Sequence, residues 1–363
     1  MNNKVNYFGI ATLFIGTVIG AGFASGQELI QFFGNYGFKG IMGTLLVGLC
    51  FTILSIVIMF TAKNINSIAF EEVAVPNVKA LRIFVNGIIT FLSFGILVVM
   101  IAGAGAMLNT LTGLSPIIGN ISMTIIIISV SWFGTESMLN SFNIVVPVMI
   151  VIAIITGILG IATGPGKAFM PPVAAQTISK NWLLSALLFV SYNFALSLAV
   201  LAPLGVKAKD KKSIVIGSII GGVTLGSVAT LLCIAIVKNF KLISNTSLPV
   251  FILAQNQNKF LGWAYGFVLL AAIFTTAEGI LFALLERFSQ YKVQLFKNRR
   301  VMLVSISTLA LVGSNVGFSK LVSVLYPING YLGFFVIAFL LYNYVATKKQ
   351  LKVESKSCTK NAA

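Results

Sequence analysis

The chain has 363 residues, of which 58% are hydrophobic and 9% are charged, and its mean hydropathy is +0.99. This balance excludes an ordinary soluble globular protein and favours a membrane protein with several spans. The formal net charge of +17 is spread over loops between hydrophobic runs, which excludes the single basic face typical of a nucleic-acid-binding protein.

The first predicted span, residues 5–34, is interrupted in its middle by glycine. Its segment from Gly20 to Glu28 reads Gly-Ala-Gly-Phe-Ala-Ser-Gly-Gln-Glu. Each glycine disfavours helix by about 1 kcal/mol relative to alanine, so the pattern predicts a broken helix. In hydrocarbon, irregular backbone persists only where it is buried in protein or lines a polar cavity, and such breaks mark transporter binding sites. The predicted substrate-binding residues here are Gly20, Ala21, Gly22, Phe23, Ala24, Ser25, Gly26 and Glu28.

Two interpretations of Glu28 stay open. The segment from Ser25 to Glu28 matches a capping box, in which the carboxylate merely satisfies amide groups at the start of a helix. A membrane-buried glutamate can also titrate or bind a cation. The helix that restarts near Ser25 points its N-terminus into the predicted cavity, which suits the carboxylate of a zwitterionic amino acid. The ammonium group of that substrate would bind carbonyl oxygens of the sixth span, Tyr192, Asn193 or Glu28.

Nine further hydrophobic runs follow, each near or above the ~20 residues that a helix needs to cross a bilayer. They cover residues 40–62, 80–111, 117–134, 141–162, 182–206, 212–237, 260–287, 301–318 and 321–345. Because the runs are continuous rather than alternating, they disfavour an outer-membrane barrel. The predicted fold class is an all-α polytopic membrane protein of about ten transmembrane helices in one domain, residues 1–345, followed by a polar cytoplasmic tail at 346–363.

The third span contains a run of small residues, Gly103-Ala104-Gly105-Ala106. Small residues allow two helices to approach closely, or they leave room for a ligand. Gly103 is therefore a candidate substrate-site residue, with helix packing as the alternative.

The sixth span is the second predicted break. Its run from Ser191 to Ser197 places polar side chains near the centre of the segment, and Ser191, Tyr192 and Asn193 are predicted to bind substrate. Ten spans divide as five plus five, at about residues 4–162 and 180–345. A repeat inverted across the membrane would make span six the counterpart of span one.

The basic residues predict an orientation. When loops are assigned alternately to the two sides, most of the 25 lysines and arginines fall on the side of the N-terminus. Positive charge is typical of cytoplasmic loops, so both termini are predicted to be cytoplasmic in a multi-pass protein of the cell membrane. The lysines of the tail are expected near anionic membrane lipid.

The glycine-broken first span, the polar run of the sixth and the ten-span layout resemble the amino acid-polyamine-organocation superfamily, and more closely the YkvI-like permeases. The segments that carry the resemblance are Gly20 to Glu28, and Ser191 to Asn193 through Pro203 to Gly205. It covers about residues 4–345. The resemblance implies a LeuT-type fold with broken helices 1 and 6, a substrate between their unwound parts, and walls from spans three and eight.

The eighth span contains Thr275-Thr276-Ala277-Glu278. In LeuT-like sodium-coupled members, two adjacent hydroxyl residues of this span join span-one carbonyls around the ion. The resemblance therefore implies Na⁺ at Thr275 and Thr276, with the carbonyls of Ile19 and Gly22. Two alternatives stay open: the hydroxyls can bond to their own helix, and Glu278, which is costly to bury charged, can couple protons.

The sequence contains no histidine, phosphate-binding loop, zinc ligand set or nucleophile motif. The protein is therefore predicted to be neither an enzyme nor an ATP-driven pump, and to use no cofactor beyond a coupling ion, Na⁺ or H⁺. The predicted function is ion-coupled symport of a small amino acid or related amine by alternating access. The alternative is a ligand-sensing membrane subunit, similar to the permease-like subunits of germinant receptors, without net transport.

Overall fold

The computed structural model describes residues 4–75, 78–133, 138–165, 179–244, 246–289 and 298–361, and helices account for most of them. The helices are α1 (Tyr7–Val18), α2 (Ala21–Ser25), α3 (Gln27–Phe32), α4 (Phe38–Ile65), α5 (Phe70–Ala74), α6 (Lys79–Thr112), α7 (Pro116–Phe133), α8 (Met138–Thr163), α9 (Trp182–Lys207), α10 (Lys211–Lys238), α11 (Phe240–Ile243), α12 (Pro249–Gln257), α13 (Lys259–Ser289), α14 (Arg299–Ser314) and α15 (Phe318–Asn361).

A helix, or for the first span a group of helices, occupies each of the ten predicted hydrophobic ranges. In the described part of the chain, seven helices are long and apolar enough to cross a membrane, namely α4, α6, α8, α9, α10, α13 and α15. Helices α1 and α7 are shorter but also apolar. The protein is therefore a multi-pass helical membrane protein, and the total of ten crossings and the inverted repeat stay predictions.

The first span is broken twice. Helix α1 ends at Val18, and Gly20 adopts an extended conformation before α2 begins. Gly26 then separates α2 from α3 with a φ of 81°, in the left-handed region that favours glycine. The glycine pattern thus predicted the position of the interruption.

The predicted break in the sixth span is wrong, because α9 runs as one helix from Trp182 to Lys207. Its polar side chains return hydrogen bonds to their own helix. Asn193 Nδ2 donates to the Phe189 carbonyl over 2.9 Å, and Ser197 Oγ donates to the Asn193 carbonyl over 2.8 Å. Polar groups satisfied in this way need no unwound backbone.

The long helices form two groups. Helix α4 packs on α9 and α10, and α1 packs on the same two helices. Helix α6 packs on α7, α13 and α14, and α8 joins the two groups through α10 and α13. Helix α15 packs on both α9 and α6. The broken first span therefore lies between two sets of packed helices.

The segment before α1 is hydrogen-bonded to the group of helices formed by α1, α4, α9 and α10. Val5 N donates to the Lys207 carbonyl over 2.9 Å, and Lys63 Nζ donates to the Ala208 carbonyl over 2.7 Å. Asp210 caps the start of α10, and its hydrogen bonds with Ser213 lower the pKa of the carboxyl group below its ordinary value. These contacts join the ends of α1, α4, α9 and α10 at the predicted cytoplasmic side.

Two short helices, α5 and α12, lie in loops at the ends of the bundle and pack on the long helices. Helix α5 contacts α4, α6, α9 and α15, and Asn343 Nδ2 donates to the carbonyls of Glu72 and Val73 over 2.9 and 3.0 Å. Arg82 pairs with the Glu72 carboxylate at 3.3 Å. At the opposite end, α12 packs on α8 and α13 and reaches α2. Each short helix therefore bridges several of the long ones.

Candidate functional site

The Glu28 carboxylate is the ionisable group of the broken segment. Glu28 is 5% exposed, it accepts a hydrogen bond from the Tyr192 hydroxyl of α9, and the Tyr326 hydroxyl of α15 is a second partner. A Cβ atom added at Gly22 would overlap this carboxylate and would lie 2.8 Å from the Tyr326 hydroxyl oxygen. The missing side chain of Gly22 thus makes the room that the carboxylate and the tyrosine occupy.

Aromatic rings enclose this carboxylate on one side. The Tyr192 ring lies 5.7 Å from the Phe32 ring and 5.1 Å from the Tyr326 ring, measured between centroids, and Phe189 meets it edge-on at 5.6 Å. Within the described residues Glu28 pairs with the two tyrosine hydroxyls and with no cationic side chain. A buried carboxylate held by hydroxyl groups alone is a candidate to bind a cation or a proton.

The structure does not form the predicted capping box. Gly26, not Ser25, is the N-cap residue of α3. Ser25 Oγ instead donates to the Gly22 carbonyl over 2.8 Å and accepts from Gln27 N over 3.2 Å. The Glu28 carboxylate faces the two tyrosines instead, and its role in binding stays a prediction.

Protein covers the freed backbone of the first span. The Tyr265 hydroxyl of α13 donates to the Ala24 carbonyl over 2.5 Å. A Cβ atom at Gly26 would overlap the side chain of Val250 and lie 3.2 Å from its backbone nitrogen, so α12 contacts the second break directly. The enclosure satisfies the requirement that irregular backbone at membrane depth be buried in protein.

The predicted ion-coupling residues of α13 lie beside the first break. A Cβ atom at Gly20 would be 3.9 Å from both Oγ1 and Cγ2 of Thr276, so this side chain lies beside the point where α1 ends. Thr275 Oγ1 donates to the Ala272 carbonyl of its own helix over 3.2 Å, as the alternative interpretation expects. The Gly22 carbonyl, a further predicted ligand, already accepts a hydrogen bond from Ser25.

Glu278 lies two residues after Thr276 on α13 and is 1% exposed. Its Oε2 accepts a hydrogen bond from Ser131 Oγ of α7 over 2.6 Å. Its Oε1 is buried and makes no hydrogen bond within the described residues. Glu278 is therefore a second buried carboxyl group, with different partners from those of Glu28.

Three of the predicted substrate-site residues have structural contacts elsewhere. Ser191 Oγ donates to the Gly330 carbonyl of α15 over 2.6 Å, and Asn193 bonds to its own helix. A Cβ atom at Gly103 would lie 3.1 Å from the Phe318 ring and 3.6 Å from Ile273, which favours the packing interpretation of this glycine. Which of these residues bind substrate stays a prediction.

Sequence reasoning missed Tyr326, Tyr265 and Phe32. The two tyrosines lie inside hydrophobic runs, where a hydroxyl needs a partner, and that feature could have marked them. Their partners are 298 and 241 positions away along the chain, so no local pattern connects them to the first span.

A cavity of about 580 Å³ lies apart from the Glu28 carboxylate, near the start of α12. Neutral side chains and backbone from α6, α7, α14 and the neighbouring loops line it. Its polar lining residues are Asn109, Thr110, Ser115, Asn120, Thr246, Ser247, Ser314 and Asn315. Phe318, which packs on Gly103, lines it too. The described lining of this cavity carries no charged group, unlike the broken segment with its buried Glu28.

Comparison with known proteins supports a membrane protein with a transporter fold. The uncharacterized membrane protein YkvI of Bacillus subtilis (strain 168) is 28% identical over 359 residues, covering 94% of this chain and 97% of that protein. The uncharacterized protein YyaD of the same organism is 25% identical over 346 residues, covering 93% of this chain and 96% of that protein. No family model matches the chain.

Solved structures share the fold at low sequence identity. The inward-facing conformation of Mhp1 has a TM-score of 0.67 at 12% identity, covering 91% of this chain and 75% of that one. MhsT in complex with L-phenylalanine has a TM-score of 0.65 at 17% identity, covering 96% and 92%. A mutant of the Eremococcus coleocola manganese transporter has a TM-score of 0.59 at 12% identity, covering 93% and 78%. The chain is therefore a multi-pass membrane protein with the LeuT-type fold of membrane transporters.

Proposed function

We propose that the protein is a secondary active transporter that carries a small amino acid or related amine by alternating access, in the amino acid-polyamine-organocation superfamily. The observation that carries the proposal is the Glu28 carboxylate, which is buried against a helix break and held by two tyrosine hydroxyls. An ammonium group would supply the missing positive charge. The rings of Phe32, Tyr192 and Tyr326 would add cation–π attraction at distances below about 6 Å.

The two groups of helices support alternating access. The bundle of α1, α4, α9 and α10 corresponds to the spans that rock against the rest in the LeuT-type mechanism, and the contacts of Val5 and Lys63 join its ends. Helices α5 and α12 would act as closures at opposite ends. MhsT, which has this fold, holds L-phenylalanine, a molecule with an ammonium group.

An ion gradient would supply the energy, since the sequence contains no phosphate-binding loop. The candidate coupling groups are the carbonyls of Ile19 and Gly22, the hydroxyls of Thr275 and Thr276, and the Glu278 carboxyl group. Thr276 and Glu278 lie on the helix that borders the break, so either Na⁺ or H⁺ could be linked to the state of the first span.

Binding by the purified full chain tests the role of Glu28. A panel of amino acids and amines is screened for ligands that raise the melting temperature of the wild type. We expect a ligand with a primary or secondary amine to do so, and we expect Glu28→Gln to abolish the shift. Glu286→Gln, an exposed position with the same change of charge, is the matched control and should retain it. Equal ligand shifts in wild type and Glu28→Gln would remove Glu28 from the site, and binding without flux would favour the sensing function.

A further inference from the structure

A negative charge on Glu278 would have few stabilising partners among the described residues. Its side chain is almost fully buried, Ser131 Oγ donates to one oxygen, and the other oxygen has no partner within the described residues. A buried carboxylate with a single hydrogen bond carries a large desolvation cost. A proton on Oε1 removes the charge and so lowers that cost, and the neutral acid keeps the bond from Ser131 at Oε2.

The helices packed against α13 bring few charged or titratable groups toward this carboxyl. Helices α2, α7, α8 and α12 contain no Asp, Glu, Lys, Arg, Tyr or Cys in the chain sequence. Helix α6 has Lys79 and Arg82 at its first turn, and α14 has Arg299 and Arg300 at its start. Helix α13 itself carries Lys259, Tyr265, Glu286 and Arg287. None of these cations forms an ion pair with Glu278 in the described part of the chain.

The exposed arginines of α14 lie at one end of this region. The Arg299 guanidinium is 5.8 Å from the ring centroid of Phe282, one turn after Glu278, and the Arg300 guanidinium is 4.8 Å from the ring of Trp132, next to Ser131. Both arginines are exposed. A water path to Glu278 from this end would therefore begin beside two cations.

Helix α13 also links Glu278 to the broken span. Thr276 faces Gly20, and the Tyr265 hydroxyl donates to the Ala24 carbonyl, so one helix contacts both ends of α2. Ser131 belongs to α7, on the other side of α13. A change in the packing of α13 against α7 would therefore alter the contacts that α13 makes at the proposed substrate site.

We infer that Glu278, with Ser131 as its hydrogen-bond partner, is the proton-binding site of the transport cycle, and that the coupling ion is H⁺ rather than Na⁺. The inference rests on the proposed transport function. One proton from the outer medium binds Oε1 and gives the neutral carboxyl; opening at the arginine end releases the same proton to water and restores the carboxylate. The hydrogen bonds already made by Thr275 and by the Gly22 carbonyl favour this assignment over a sodium site.

Infrared difference spectroscopy on the purified full chain tests the site without any substrate. Raising the pH should remove the carbonyl stretch of a protonated carboxyl group in the wild type, in Glu28→Gln and in the control Glu286→Gln. Glu278→Gln should lack this band, and Ser131→Ala should shift its frequency because the hydrogen bond is lost. A wild-type band that persists in Glu278→Gln and keeps its frequency in Ser131→Ala would overturn the proposal.

Proteoliposomes test the coupling. Glu278→Gln should lose accumulation driven by a pH gradient by about tenfold or more, within the usual range of coupling between two sites, while exchange of labelled for unlabelled substrate continues. If wild type accumulates substrate with a sodium gradient alone and is indifferent to pH, the proton assignment is wrong. If wild type moves no substrate at all, the transport function fails while the infrared result on Glu278 still stands by itself. Should Glu278→Gln fail to fold, Ser131→Ala must alter the pH dependence of uptake, and an unaltered profile counts against the site.

Discussion

Glu28 and Glu278 are both buried carboxyl groups, but their surroundings differ. Glu28 meets two tyrosine hydroxyls and aromatic rings beside broken backbone, whereas Glu278 meets one serine hydroxyl and keeps one oxygen without a partner in the described residues. Rings and an anion together suit an organic cation. A carboxyl oxygen without a hydrogen-bond partner, as Oε1 of Glu278 is among the described residues, suits a proton. The proposal therefore assigns the substrate's positive charge to Glu28 and the coupling proton to Glu278.

The Tyr192 hydroxyl is expected to hold the Glu28 carboxylate in its charged form. Tyr192→Phe keeps the ring but removes a hydrogen bond to a charged group, a bond that contributes about 1.5–3 kcal/mol. Substrate affinity measured by calorimetry should fall by about tenfold or more, since 1.4 kcal/mol is a factor of ten. The matched control is Tyr342→Phe, at a position that is 65% exposed, and it should bind like wild type. Unchanged affinity in Tyr192→Phe would contradict the assignment.

The broken first span shows which elements local sequence can predict. Glycines at positions 20, 22 and 26 are unfavourable in a helix, so the interruption follows from intrinsic propensity. The sixth span looked similar because it is polar in its centre. Its side chains, however, bond to helix carbonyls, and α9 stays continuous. Glycine changes the backbone itself, whereas a polar side chain breaks a helix only when it finds no partner.

The loop helices and the partners of Glu28 could not be predicted from the sequence. Helices α5 and α12 have five and nine residues, which is too short for stability in isolation, so tertiary contacts form them. The Tyr326 and Tyr265 contacts join distant parts of the chain, and no periodicity contains that information. The long hydrophobic runs, by contrast, are set by the thickness of the bilayer and were predictable.

Gly26 is expected to be essential to the second break. Gly26→Ala places a side chain at a φ of 81°, which costs about 1–2 kcal/mol, and its Cβ overlaps Val250. The melting temperature of the purified protein should fall. Gly87→Ala is the control, because a Cβ there meets nothing within 4 Å and the exposed helical position gains about 0.5–1 kcal/mol. A Gly26→Ala protein as stable as wild type would mean that the break tolerates a side chain.

In the molecule as a whole, the loop before α12 contacts the start of α15 at one end of the helix bundle. Ser247, at the rim of the cavity before α12, lies 2.9 Å from Ser319 at the start of α15, measured between hydroxyl oxygens. Opening this end should separate the two residues. In the proposed cycle, opening at this end depends on a contact that a covalent bond can lock.

The paired substitution Ser247→Cys and Ser319→Cys is expected to form a disulfide under oxidising conditions. Uptake should then stop, because the protein is held closed at that end, and a reducing agent should restore it. Each single substitution, treated with the same oxidant, is the control for the native cysteines Cys50, Cys233 and Cys358. If the oxidised double variant, with its disulfide verified by mass spectrometry, still transports at the wild-type rate, this contact does not gate the cycle.

The most direct measurement is accumulation of an amine-bearing ligand in proteoliposomes under an imposed ion gradient. Wild type should concentrate the ligand above its external level and lose the accumulated pool when the gradient collapses, Glu28→Gln should accumulate none, and Glu286→Gln should behave as wild type. Saturable binding by wild type with no flux under either a sodium or a proton gradient would contradict transport. Equal accumulation by wild type and Glu28→Gln would contradict the site.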